Sequence, residues 1–115
     1  MLKIANVSKK YSGAERYAVQ ELDLEVRPGE IFGFLGPNGA GKTTTIKMIV
    51  GLLQQDRGTI TVNGFDTQKR SLEAKQSIGF VPDNPDLYEK LTGLEYLNFI
   101  AHAFGVSSSD RQRRI

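Results

Sequence analysis

The sequence predicts an α/β fold: an antiparallel β-subdomain joined to part of a parallel core sheet with helices. Three observations predict it. A glycine-rich run, GPNGAGKTT at 36–44, lies between an apolar stretch that reads as a strand and a periodic stretch that reads as a helix. Ahead of it, two alternating stretches read as an antiparallel pair with one wet face. Beyond it, short β-rich and helical segments alternate.

Size and composition set the frame. The 115 residues suffice for one small domain with its own core, and a single partial domain over 1–115 is expected. Hydrophobic content of 39% and charged content of 24% are those of a globular protein. A net charge of +2 does not point to nucleic acid, and no nucleic-acid partner is expected. Arg111, Arg113 and Arg114 cluster only at the last residues, where they read as a solvated helix face. With no cysteine, disulfides and thiolate metal sites are excluded, which fits a reducing compartment. The first residues, MLKIANVSKKYSG, lack the apolar core of a signal peptide, and no apolar stretch approaches a membrane span. A cytoplasmic chain, touching a membrane only through a partner subunit, is expected.

The elements follow in order. Leu2, Ile4 and Val7 alternate loosely with polar residues, which predicts an edge strand over 2–11. Tyr17 to Val26 alternates again and ends at the Pro28-Gly29 turn signal. Glu30 to Leu35 is almost continuously apolar, as a strand buried on both faces would be. After the glycine-rich run, Ile46, Ile49, Val50 and Leu53 fall on one stripe of an amphipathic helix. Gly58 to Val62 predicts a strand closed by the Asn63-Gly64 turn dipeptide. Lys69 to Ser77 predicts a short polar helix, and Ile78 to Val81 another apolar strand stopped by Pro82. Thr92 and Glu95 have the spacing of a capping box, with Leu91 and Tyr96 placed for a hydrophobic staple. Leu94, Leu97, Ala101 and Phe104 then share a face expected to pack in a core, Gly105 stops that helix, and Ser107 caps a last one.

The run at 36–44 carries the chemistry. A polyphosphate must be held without covalent bonds, and backbone N–H groups in a tight loop do this because they converge. Gly36, Gly39 and Gly41 permit the dihedral angles and the close approach. The helix starting near Lys42 adds free N–H groups and its positive dipole end. Lys42 supplies a compact positive charge for the β- and γ-phosphates, the Thr43 hydroxyl suits Mg²⁺, and Thr44 suits a neighbouring phosphate.

With these residues in view, the chain resembles the N-terminal half of an ATP-binding-cassette (ABC) transporter ATPase domain, a P-loop NTPase-like fold. GPNGAGKTT is similar to the family's Walker A loop, which makes Gly36, Pro37, Asn38, Gly39, Ala40, Gly41, Lys42, Thr43 and Thr44 the expected ATP-binding residues. NVSKKY resembles the segment carrying the adenine-stacking aromatic, placing Tyr11 in that role; packing at a strand end is its other reading. GLLQQDRGTITVNGFD resembles the connection out of the first helix, and IGFVPDNPDLYEKLTGLEYLNF the Q-loop region and the helix after it.

One position departs from the pattern. Asp83 stands where the family usually has Gln. A carboxylate there is a hard Mg²⁺ ligand but adds negative charge near the γ-phosphate, and a loop-capping role stays equally open. The resemblance thus implies Lys42 and Asp83 as catalytic candidates, Thr43 and Asp83 as metal ligands, and ATP with Mg²⁺ as cofactors. Acidic residues at this place look similar to export-type members. The resemblance also implies a transmembrane permease subunit docking on the region Leu87–Leu97, with Leu87, Tyr88, Leu91 and Tyr96 as its apolar contacts, and a homo- or heterodimer of ATPase domains. His102, the single histidine, reads as a helix-surface residue.

The family's LSGGQ signature, Walker B carboxylates and switch histidine are not in this sequence. The chain is therefore expected to hold Mg-ATP without hydrolysing it usefully by itself. Apolar edges at 31–36 and 78–82 are expected to stay exposed. Three functions compete: the ATP-binding part of a transport motor, a non-hydrolysing nucleotide-binding remnant or truncated product, and a soluble ABC ATPase of translation or DNA repair.

Overall fold

A computed structural model describes residues 1–37, 39–82 and 90–115. The elements are β1 (Leu2–Lys9), β2 (Val19–Val26), α1 (Lys42–Ile49), β3 (Arg57–Val62), β4 (Phe65–Asp66), α2 (Ser71–Gln76), α3 (Gly93–Ala103) and α4 (Ser108–Arg114). They fall into two compact units, Met1–Phe80 and Val81–Ile115.

In the first unit one antiparallel sheet runs β2-β1-β3-β4. β1 is therefore interior, not the edge strand its loose alternation suggested. The looseness has a cause. Asn6 sits at φ 51°, where β1 holds one residue more than either neighbour between Ile4 and Ser8. That bulge lets Ile4 and Val7, three apart, both point into the core. Asn6 N–H, freed from the ladder, donates to Asp23 Oδ1 at 2.8 Å. A second bulge in β2 puts Glu21 at φ 49°, and its N–H donates to the buried Ser8 Oγ at 2.9 Å. Gly58 faces the first bulge at φ 83°; a Cβ there would lie 2.3 Å from Asn6 O.

The core is small: Ile4, Val7, Val19, Ile60 and Met48, with Leu2, Leu22, Leu24, Ile49 and Leu53 packed around it. Met48 brings α1 onto the sheet. The buried residues of α1 are Thr44, Thr45 and Met48, and Ile46 is exposed, so the predicted stripe is displaced. It also ends early. Gly51 at φ 81° closes α1, with Leu52 N–H reaching Lys47 O at 2.9 Å, which leaves Leu53 outside the helix. The Asn63-Gly64 turn forms as expected, both residues at positive φ, joining β3 to β4.

Two expected strands are the main correction. Residues 31–36 and 78–82 form no strand, and among the described residues no strand pairs with them. Ile31 is 99% exposed, Leu35 93% and Val81 92%. A strand needs a neighbouring strand for its N–H and C=O groups, and among the described residues these segments have none.

In the second unit α3 starts at the expected capping box. Thr92 Oγ1 accepts from Glu95 N–H at 3.3 Å and Thr92 N–H donates to Glu95 Oε2 at 2.7 Å. It ends at Gly105, with Val106 N–H on Ala101 O at 2.8 Å. Ser107 caps α4 by accepting from Asp110 N–H at 3.2 Å. No residue of α3 is buried, so Leu94, Leu97 and Phe104 do not make the core expected of them. Arg113 pairs with Asp110, and Arg113 and Arg114 are exposed, in keeping with a solvated face.

Candidate nucleotide-phosphate site

The site is built where the chain leaves residues 31–37 and enters α1. Gly39 and Gly41 take φ of 84° and 89°, which side chains rarely tolerate. Gly41 is also wedged: a Cβ there would lie 2.4 Å from Ala18 O and 3.1 Å from Val19 Cγ2. Gly36 is different from the expectation, because its φ is not positive. Its constraint is space, since a Cβ would meet Ala40 Cβ at 3.2 Å and Lys42 Cδ at 3.6 Å. Ala40 N–H closes the turn on Pro37 O at 3.2 Å.

α1 begins at Gly41 with no side-chain cap and no acidic residue in its first turn. Thr45 fastens that turn, its N–H and Oγ1 both donating to Gly41 O at 2.9 and 2.8 Å. Among the described residues nothing accepts from the N–H groups of Lys42, Thr43 or Thr44. Those donors are what a helix start offers an anion. The Lys42 ammonium turns back over the loop and donates to Gly36 O.

Tyr11 reaches this site from the end of β1. Its Oη lies 3.0 Å from Thr44 Oγ1, and the Lys9 ammonium is 6.0 Å from its ring centroid. The 9–11 segment is tied down by Asp56, which pairs with Lys9 Nζ at 3.3 Å and accepts from Lys10 N–H at 2.8 Å. The Lys10 N–H bond, with Lys9 behind it, holds the Asp56 carboxyl below the usual carboxylate range.

Together these groups enclose a cavity of about 440 Å³, lined by Tyr11, Ala18, Gly39, Gly41, Lys42, Thr43 and Thr44. That is within the range of small-molecule sites. Among the described residues no carboxylate lines it. The arrangement presents free amides, hydroxyls and one ammonium, a donor set for a multiply charged anion.

Of the expected residues, the structure thus gathers Tyr11, Gly39, Gly41, Lys42, Thr43 and Thr44 around one cavity, with Gly36, Pro37 and Ala40 forming the turn beside it. Asn38, Asp83, Leu87 and Tyr88 lie outside the described residues. Leu91 is exposed and Tyr96 partly so, and His102 is exposed on α3. Among the described residues no cluster of His, Asp and Glu suits a metal, and no helix is long and apolar enough to cross a membrane. Sequence reasoning missed Ala18, whose carbonyl presses on Gly41, and Thr45, whose hydroxyl locks the helix start.

The family model for ABC transporters matches residues 19–114. The chain belongs to the ABC transporter family. Among curated relatives it is 42% identical to the linearmycin resistance ATP-binding protein LnrL of Bacillus subtilis, covering 99% of this chain and 36% of that one. It is 39% identical to the Nod factor export ATP-binding protein I of Cupriavidus metallidurans, over 100% of this chain and 37% of the relative. The chain thus spans little more than a third of these ABC proteins' length. A solved ATP-binding subunit of an ABC transporter superposes with a TM-score of 0.92 at 34% identity, over 99% of this chain and 47% of that one. A dimeric, post-hydrolysis ATP-binding cassette bound to ADP and Pi superposes at 0.81 and 28% identity, over 99% and 53%.

Proposed function

We propose that this ABC chain is the phosphate-binding part of an ATP-binding subunit that powers a membrane transporter. The observation that carries the reading is the uncapped start of α1, where among the described residues nothing accepts from the N–H groups of Lys42, Thr43 and Thr44, at a cavity whose described lining has an ammonium and no carboxylate. In this reading Gly36, Pro37, Asn38, Gly39, Ala40, Gly41, Lys42, Thr43 and Thr44 surround the polyphosphate. Lys42 exchanges Gly36 O for a phosphate oxygen, and the ring of Tyr11 serves the adenine.

A single hydroxyl, Thr43, is too small a donor set to hold Mg²⁺ alone, but it fits a metal that brings phosphate oxygens with it. Thr43 would hold it, with Asp83 as a second candidate ligand, and the ion would neutralise charge on the phosphates. Asp83 in this role, Lys42 as a catalytic group, a permease subunit seated on Leu87–Leu97, and pairing of two ATPase domains at the cytoplasmic face of a membrane complete the proposal. The resistance and export roles in the relatives' names favour export.

Equilibrium dialysis of ATP tests the cradle. Replacing Lys42→Ala removes a charge-assisted bond and is expected to weaken ATP about 10- to 100-fold. Unchanged binding would overturn the assignment.

A further inference from the structure

The contact between Tyr11 and Thr44 asks for more than a stacking role. The Thr44 hydroxyl lies 3.0 Å from Tyr11 Oη, the only partner it has among the described residues. Thr44 is buried and, like Tyr11, lines the cavity, so the bonded pair of hydroxyls belongs to the wall of the space where a guest would stand. The phenol's position is set by the fold. Tyr11 follows the last pair of β1, and Asp56 holds both Lys9 and the Lys10 N–H beside it.

We infer that the Tyr11 hydroxyl is itself part of polyphosphate recognition, as a positioning group that directs the Thr44 proton at the anion. The inference rests on the proposed phosphate cradle. A threonine hydroxyl has one proton and two lone pairs. With the cavity empty, either oxygen of the pair can donate. A phosphate oxygen has no proton to give, so it settles the direction: Thr44 donates to the phosphate and accepts from Tyr11. Two bonds in series polarise each other, which makes Thr44 a better donor than it would be alone. No proton leaves its oxygen and no bond to carbon or phosphorus changes.

The consequence distinguishes this role from stacking. A ring that only stacks serves the adenine and is indifferent to a guest without a base. A phenol acting through Thr44 serves inorganic triphosphate as much as ATP. Tyr11→Phe separates the two, because it keeps the ring and removes the hydroxyl.

The experiment measures ATP and inorganic triphosphate binding by titration calorimetry. It uses the wild-type chain, Tyr11→Phe, Thr44→Val, Thr44→Ser and the Tyr11→Phe/Thr44→Val double variant, each checked for an unchanged melting temperature. Tyr11→Phe is expected to weaken both ligands by the same factor, about threefold to tenfold. In the Thr44→Val background it is expected to weaken neither further, while Thr44→Ser keeps the full effect of the phenol. Triphosphate binding untouched by Tyr11→Phe would overturn the inference and leave stacking alone. A loss of the same size in the Thr44→Val background would overturn it too, since the phenol would then act elsewhere. Wild-type protein that binds neither ligand would overturn the cradle itself, and this inference with it.

Discussion

β1 and residues 31–35 are both apolar stretches, and the protein treats them oppositely. β1 is flanked by β2 and β3, and its Ile4 and Val7 are buried. Residues 31–35 are the more continuously hydrophobic, yet Ile31 and Leu35 stand in water. The difference lies in backbone pairing. A strand is stable where its N–H and C=O groups meet those of a neighbour, and apolar side chains alone do not provide one. Two of the sheet's three pairings, β1–β2 and β3–β4, join strands consecutive in the chain, which brings neighbours together cheaply in chain entropy, and the third, β1–β3, spans a longer stretch.

The comparison can be broken most directly by truncating one side chain on each side of it. Ile60→Ala, in the covered core, is expected to lower unfolding free energy by about 2–5 kcal/mol in a urea titration. Leu35→Ala is expected to change it by less than about 0.5 kcal/mol. Similar losses would show that residues 31–35 are packed after all.

The next largest effect is in the glycine-rich loop that follows residues 31–35. Gly39→Ala meets no atom within 4 Å and carries only the left-handed backbone term, about 1–2 kcal/mol. Gly41→Ala adds the collision with Ala18 O and is expected to exceed it clearly, measured by the same titration. If the two variants melt alike, the wedge under Gly41 is not a tight one.

α3 sharpens the contrast further, because it has no buried residue and depends on its ends. Thr92→Ala is expected to cost about 1 kcal/mol of helix stability, seen as faster amide exchange in α3 with β1 amides unchanged. The smallest effect is the pH response of the same cap. Backbone and hydroxyl bonds from Thr92 hold the Glu95 carboxyl below the usual range. Its contribution is therefore complete above the ordinary glutamate value of about 4.3 and fades as pH falls through the lowered one. α3 amides are expected to speed up in that acid window only, and Thr92→Ala to abolish the response.

What could be read from the sequence follows from how local each cause is. The capping box of Thr92 and Glu95, the Ser107 cap, the Asn63-Gly64 turn and the stop at Gly105 all formed, because each depends on residues within a few positions. The glycine-rich loop was legible for the same reason, down to the start of α1. The interior place of β1 was not, because the Asn6 bulge hides the alternation and its partner Gly58 is far along the chain. Nor was the buried face of α1, which is chosen by the sheet through Met48 and Thr45 rather than by the helix's own stripe. The Tyr11–Thr44 bond spans 33 positions, and no local pattern announces it.

The tight lodging of Gly41 against Ala18 has a thermodynamic consequence. Ordering a flexible backbone residue forfeits about 1–2 kcal/mol of conformational entropy. Here the amides of Lys42, Thr43 and Thr44 take their orientation when β2 and α1 come together, before any guest arrives. An incoming anion meets dipoles already frozen in place, so its affinity is spared the reorganisation that a slack loop would demand.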